Sequence, residues 1–364
     1  MCGSPCCCRA GCGPAQPTVT RRAGHTARCR RPPGPLRPDG WWDGGVTLPA
    51  GVPADATLAD LGEFGLVSQL VALFAQGEHV LVGPGDDAAV LRVRTGHVVV
   101  STDLLVEGRH FRRDWSEAED VGHRAAAQNL SDINAMGGRA HSLTVGLAAP
   151  ADLPARWALE FARGFADECA LVGASVVGGD LTRADEVVVA VTVIGACTQA
   201  PVLRSGARAG DVLALTGRQG WSAGGLAVLS RGFRSPRALV EAYRRPAPPY
   251  DAGKVAAEAG ATAMIDVSDG LLADAGHIAA DSGVALDVRT GSLEVPEPLH
   301  AVAAATGSDP LSFVLGGGED HGLLATFPAD SVPPGWLQIG VVTEGEGVTV
   351  DGAAYDGDAG WTHF

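Results

Sequence analysis

The sequence predicts a mixed protein of the α/β or α+β class, built as two similar domains. Three observations predict it. Amphipathic helical stretches alternate with short apolar strands from Leu58 onward. At 364 residues the chain is long enough for two domains of roughly 100–200 residues each. An acid also recurs after apolar strands in both halves, beside Gly or small polar residues. The expected organisation is a disordered Cys/Arg/Pro-rich extension over 1–55, a first domain over 56–200 and a second over 201–364.

Residues 1–50 hold six of the eight cysteines and seven Arg against Asp39 and Asp43, a balance of +5 that leaves −20 for the remainder. So acidic a body argues against nucleic acid or an anionic membrane as partner. No stretch reads as a membrane span or signal peptide. Cys169 and Cys197 lie singly in apolar runs, which suits a reducing compartment, and the expected location is the cytoplasm.

Order is expected to begin near Leu58, where Leu61, Phe64, Leu66, Leu70 and Leu73 take helical spacing. Val80–Val82 and Ala88–Leu91 read as strands around Gly83-Pro84-Gly85-Asp86-Asp87. His97–Val100 reads as a strand ending at Ser101-Thr102-Asp103. Residues 117–136 read as a helix stopped by Gly137-Gly138. Leu143–Leu147 is strand-like, 154–172 helical, and Ser175–Val177 a strand before Gly178-Gly179-Asp180. Val187–Ile194 is strongly β. Pro201–Gly210 reads as a link, Asp211–Thr216 as a new strand, and Gly217–Gly225 as a glycine-rich turn into a short helix. Helix, strand and helix follow around 263–280, and short strands with glycine turns close the chain.

Six acidic motifs carry the chemistry: Gly85-Asp86-Asp87, Ser101-Thr102-Asp103, Asn129-Leu130-Ser131-Asp132, Gly178-Gly179-Asp180, Asp266-Val267-Ser268-Asp269-Gly270 and Gly316-Gly317-Gly318-Glu319-Asp320. Singly, each could be a turn; together, oxygen donors without His or Cys partners suit a hard cation, above all Mg²⁺, and hence phosphate. Ser101, Thr102 and Asp103 are expected to converge on one ion. Asn129 and Asp132, three apart, share a helix face, and a cation beside Asp132 would offset the macrodipole penalty near the helix end. Ser268 is expected at a helix start able to accept phosphate. N-capping is the alternative role for Asp269. Gly217, Gly220, Gly224 and Gly225 could bring backbone to phosphates, and Arg204 and Arg109 are candidate phosphate forks. Lys254, followed by Val255, is the sole lysine. It excludes a Walker-type loop and a kinase strand lysine.

In order, these runs resemble the thiamine-monophosphate kinase family of the aminoimidazole ribonucleotide synthetase-like superfamily. The resemblance rests on Gly-Pro-Gly-Asp-Asp-Ala-Ala-Val, Ser-Thr-Asp-Leu-Leu-Val-Glu-Gly-Arg-His-Phe, Asn-Leu-Ser-Asp-Ile-Asn-Ala-Met-Gly, Gly-Gly-Asp-Leu-Thr-Arg, Leu203-Arg204-Ser205-Gly206-Ala207, Asp-Val-Ser-Asp-Gly-Leu and Gly-Gly-Gly-Glu-Asp, collinear over residues 58–364. It implies an N-terminal domain that pairs across a homodimer, a C-terminal α/β domain, and transfer of the ATP γ-phosphoryl group to thiamine monophosphate. It further implies that Asp87, Ser101, Thr102, Asp103, Asp132, Asp180, Asp266 and Asp269 hold several Mg²⁺ ions. Gly179, Arg204 and Ser268 would contact ATP, and His110, Glu319 and Trp361 the thiamine phosphate. No protein nucleophile or base is implied. The sequence departs from the family at His321-Gly322, where Tyr-Glu is common, and residues 1–55 have no counterpart there and should be dispensable. Competing readings are a purine-pathway type synthetase of the same superfamily and a non-catalytic nucleotide- or metal-binding module.

Overall fold

The structure, a computed structural model, describes residues 53, 55–82, 90–92 and 96–361. The expected extension and the Gly85-Asp86-Asp87 motif therefore lie outside the described residues. The N-terminal half runs α1 (Leu58–Leu73), β1 (Val80–Val82), β2 (Val90–Leu91), β3 (His97–Val106), α2 (Ala118–Ala135), β4 (Arg139–Ala149), α3 (Ala155–Val172), β5 (Ser175–Arg183) and β6 (Val188–Cys197). The C-terminal half runs β7 (Val212–Thr216), α4 (Trp221–Leu229), α5 (Arg237–Arg244), α6 (Ala252–Ala259), β8 (Ala263–Val267), α7 (Leu271–Ser282), β9 (Ala285–Val288), α8 (Glu297–Thr306), α9 (Pro310–Gly316), β10 (Gly322–Phe327), β11 (Leu337–Thr343) and β12 (Gly347–Val350).

The first sheet has the order β3-β6-β4-β5. It is antiparallel except between β4 and β5, which α3 connects as a crossover. In β6, Val189, Val191 and Val193 are fully buried against the helices, while Val188, Ala190, Thr192 and Ile194 face the other way. Helices α2 and α3 cross closely because they meet at glycines. A Cβ on Gly122 would lie 1.9 Å from the Phe161 carbonyl oxygen, and one on Gly164 2.0 Å from that of Glu119. The core between helices and sheet includes Leu105, Leu130, Ile133, Leu143 and Phe165.

The second sheet has the order β12-β9-β11-β7-β10-β8. Strands β8 and β10 are buried along their whole length, β8 although it ends the sheet, so both read as nearly continuous apolar runs. Leu213, Ile265, Leu286, Leu324 and Ile339 pack on the α7 side. Met264, Leu323, Phe327 and Trp336 pack on the α6 side, together with Ala135 from α2. Helix α2 thus belongs to both halves. Its Ser131 bonds Asp266 of β8, and its Asn134 donates to the Pro249 carbonyl and accepts from Gly253 N.

The structure corrects two element boundaries that matter. Strand β3 does not stop at Val100 but continues through Ser101-Thr102-Asp103 to Val106. Strand β5 likewise continues through Gly178-Gly179-Asp180 to Arg183. Both motifs sit inside strands, so their residues alternate between faces.

Candidate active site

The face of α2 carrying Arg124, Gln128, Ser131 and Asp132 builds the site, since positions four apart stack along a helix. Strand β3 brings Ser101 and Asp103 to it. The Ser101 hydroxyl donates to Asp132 Oδ2 at 2.6 Å, and Gln128 hydrogen-bonds Asp103. The end of β8 brings Asp266, whose Oδ2 accepts from the Ser131 hydroxyl at 2.9 Å and pairs with His321 Nδ1 at 3.1 Å.

The electrostatics follow from burial and crowding. Burial, then the charges of Asp266 and Asp103, push the Asp132 carboxyl up to about 8. Burial also raises Asp103, with Asp266 and Glu319 adding to the shift and Gln128 and His321 opposing it. Burial works against a charged His321, but the Asp266 hydrogen bond and the charges of Asp266 and Glu319 prevail and raise it to about 9. Burial would also raise Glu319, yet the Arg124 guanidinium holds it below its ordinary value.

Glu319 enters from the Gly316–Asp320 loop, held in the left-handed region at φ 66°. Its N–H donates to the Ser268 carbonyl at 2.8 Å. A Cβ on Gly318 would lie 2.1 Å from that same carbonyl oxygen, so the approach requires glycine. His110 is fixed by a 3.0 Å hydrogen bond from Val106 N–H to its Nδ1, and it lies near Glu319. Trp361 is exposed, and its N–H donates to the Asp269 carbonyl at 2.9 Å.

Of the residues expected from sequence, the structure therefore gathers Ser101, Asp103, Asp132, Asp266, His110 and Glu319, and it ties Trp361 to Asp269. The expected convergence of Ser101, Thr102 and Asp103 is corrected. Thr102 points to the opposite, outer face and bonds the Thr192 hydroxyl at 2.8 Å, because alternate strand residues face opposite ways. Asp180 is exposed on β5, the far edge of the sheet from β3. Three strand spacings put it roughly 14 Å from Asp103. Among the described residues no three of the acids and imidazoles stand close enough to hold one ion.

The helix-start reading is corrected too. The N–H groups of Ser268, Asp269 and Gly270 all donate to Asp274 Oδ2 at 3.1 Å, so the chain's own carboxylate occupies that position. Asp269 does not cap α7; Gly270 is the cap residue. Gly224 and Gly225 are not a phosphate loop but lie within α4, where a Cβ on Gly225 would lie 2.2 Å from the Leu239 carbonyl oxygen. Gly179 is a packing requirement between strands, its Cβ position lying 2.1 Å from the Val145 oxygen. Arg204 is exposed beside β8.

Three residues of the site carry roles that the sequence reading does not reach. Arg124 pairs with Glu319, His321 with Asp266, and Asp320 accepts the Ser222 N–H that opens α4. The signal for Arg124 is its place eight residues before Asp132 on a helix. For His321 the only signal is its adjacency to Glu319-Asp320.

Two packed α/β halves with acids at their junction define a class, and the comparisons agree with it. Residues 85–197 match the AIR synthase related protein N-terminal domain, and residues 208–352 the corresponding C-terminal domain. The chain is 49% identical over 311 residues to thiamine-monophosphate kinase of Mycobacterium tuberculosis, covering 85% of this chain and 93% of that protein. The crystal structure of thiamine-monophosphate kinase from Stenotrophomonas maltophilia K279a superposes with a TM-score of 0.72 at 33% identity, covering 81% of this chain and 98% of that one. AaThiL complexed with AMPPCP and TMP gives 0.70 at 31% identity, covering 85% and 99%. The chain belongs to the thiamine-monophosphate kinase family.

Proposed function

We propose that this protein transfers the γ-phosphoryl group of ATP to the phosphate of thiamine monophosphate, yielding ADP and thiamine diphosphate. The observation that carries this reading is the meeting of two sets of residues at one junction. The acids Asp103, Asp132 and Asp266 stand beside Glu319 and His110, which come from different halves of the chain. The first set suits phosphate-bound cations and the second an organic acceptor.

The donor set fits Mg²⁺. Burial and neighbouring carboxylates raise the proton affinity of Asp103 and Asp132, and a hard divalent cation would supply positive charge beyond that of His321. Several ions would be shared among Asp103, Asp132, Asp266 and Ser101 rather than one held by all of them, with Asp87, Thr102, Asp180 and Asp269 proposed as donors to further ions, Thr102 and Asp180 from the outer face of the sheet. Bound there, Mg²⁺ neutralises phosphate charge and aligns donor with acceptor. The chain's own part is positioning. Ser101 fixes Asp132, Ser131 and His321 fix Asp266, and His110 and Glu319 orient the acceptor. Its phosphate oxygen is already ionised at neutral pH, so in-line attack needs no protein base. Gly179, Arg204 and Ser268 would contact ATP, and Trp361 the thiamine end.

A second copy of the chain completes the reading. The outer face of the first sheet exposes Val98, Val100 and Leu104 at 48%, 61% and 54%, an apolar stripe of the kind that marks an interface. Thr102 and Asp180 lie on this same face at opposite edges. Pairing two copies through it would bring one copy's Asp180 toward the other's Thr102. Among the described residues no helix is long and apolar enough to cross a membrane.

The direct test incubates purified protein with ATP, Mg²⁺ and thiamine monophosphate and follows thiamine diphosphate by chromatography. Product formation is expected; absence of product together with turnover of a purine-pathway amidine would replace this reading with the synthetase one.

A further inference from the structure

We infer that Arg124 is a positioning residue for the acceptor: from within α2 it aims the Glu319 carboxylate of the other half into the cleft. Arg124 is 3% exposed, and its guanidinium forks between two partners of the C-terminal half. Nη2 donates to Glu319 Oε2 at 2.5 Å, and Nη1 to the Tyr243 carbonyl at 2.9 Å. The Tyr243 ring lies 4.6 Å from the guanidinium carbon and closes off its face. Glu319 itself is 39% exposed against 4% for the Arg124 side chain, so the cation stands behind the carboxylate and the cleft in front of it.

Stability alone does not account for this arrangement. Burying the Arg124 charge costs desolvation that a half-open pair with Glu319 repays only in part, and Arg124 Nε is buried with no hydrogen-bonding partner among the described residues. Glu319 meanwhile occupies a left-handed backbone conformation that a non-glycine residue adopts at a cost. What the pair fixes is the direction of one ionised carboxylate, and thiamine monophosphate carries a cationic thiazolium ring and an aminopyrimidine donor for it to meet. The planar fork matters because it constrains orientation, which an ammonium does not.

This inference rests on the proposed kinase function, and the test separates the two. Arg124→Met, Arg124→Lys, Glu319→Gln and the Arg124→Met/Glu319→Gln double variant are compared with the parent protein for KM of each substrate, kcat and melting temperature. Arg124→Met is expected to raise KM for thiamine monophosphate by about tenfold or more, with KM for ATP unchanged. Arg124→Lys should recover part of that loss. The double variant should be no worse than Glu319→Gln, because Arg124 acts through Glu319. Equal rises in both KM values, or effects that multiply in the double variant, would overturn the inference. Should Arg124→Met not fold, Arg124→Lys decides: a KM rise confined to thiamine monophosphate and absent in a Glu319→Gln background supports it, and any other pattern overturns it. A parent protein that does not turn over thiamine monophosphate would instead overturn the kinase reading.

Discussion

The Ser101 hydroxyl donates to Asp132 Oδ2 at 2.6 Å, and through this bond an edge strand holds the acid of a helix at the junction of the two halves. Asp132 faces both of the other site carboxylates, Asp266 and Asp103. Burial and two like charges set its proton affinity, so removing its charge has opposite effects on fold and function.

Asp132→Asn should lower kcat by about a hundredfold or more while leaving the chain folded, since a metal-holding oxygen is lost. The metal-free variant should also melt higher than the parent at pH 8. A carboxyl raised to about 8 from 3.8 makes the folded state hold a proton that the unfolded state releases, and stability falls as pH rises between those values. Enzyme assay and thermal melts in chelator check both parts. Near-parental turnover would remove Asp132 from the metal site.

Asp274→Ala should destabilise the protein by about 3 kcal/mol, because three N–H groups at the start of α7 lose their one acceptor. Asp274→Asn, which keeps an acceptor oxygen, should lose less. Urea unfolding at neutral pH measures the difference; equal stability of the alanine variant and the parent would contradict the role given to Asp274.

Asp320 supplies a pH signature away from the metal-holding acids. Burial lifts its carboxyl to about 6, against the backbone N–H bonds it accepts from Ser222, Trp221 and Gly220. The folded state therefore binds more protons at this group than the unfolded between about pH 4 and 6, and the Asp320 share of stability should decline across that window. Asp320→Asn should flatten this decline. Chemical unfolding at half-unit steps of pH reads it directly, and an unchanged slope in the variant would show that another group is responsible.

Val100→Asp places a charge in the middle of the exposed stripe of the first sheet. The parent should run as a dimer in light scattering and the variant as a monomer with an intact melt. Turnover should fall with the dimer, because Asp180 and Thr102 are then parted. An active monomer would show that each copy works alone.

The two longest helices of the N-terminal half were legible in the sequence, whereas the short helices α5, α8 and α9 were not read from it. Residues 117–136 and 154–172 coincide to within one residue at each end with α2 and α3, because amphipathic spacing and a following glycine bound both. The strands were less legible where they carried function. Ser101-Thr102-Asp103 and Gly178-Gly179-Asp180 look like loop, since small polar residues favour turns, yet both lie in edge strands where polar side chains reach solvent or cleft. Reading them as loops hides the alternation that sends Thr102 away from Asp103. The acids of the site were visible as residue types. Their counter-ions Arg124 and His321 were not, because each pairs with a residue distant in sequence or set by loop geometry, and no local pattern announces such a pair.

The Asp274 carboxylate also bears on how the substrates are met. Many phosphate-handling proteins offer a helix start as a ready anion receptor, but here that receptor is already filled from within. At this junction the chain cannot answer incoming phosphate oxygens with the amides of α7, and Arg124 is engaged elsewhere. The burden of charge matching passes to ions drawn from solution, and catalysis should track the free concentration of divalent metal steeply, behaving as a reaction of several ions rather than of one.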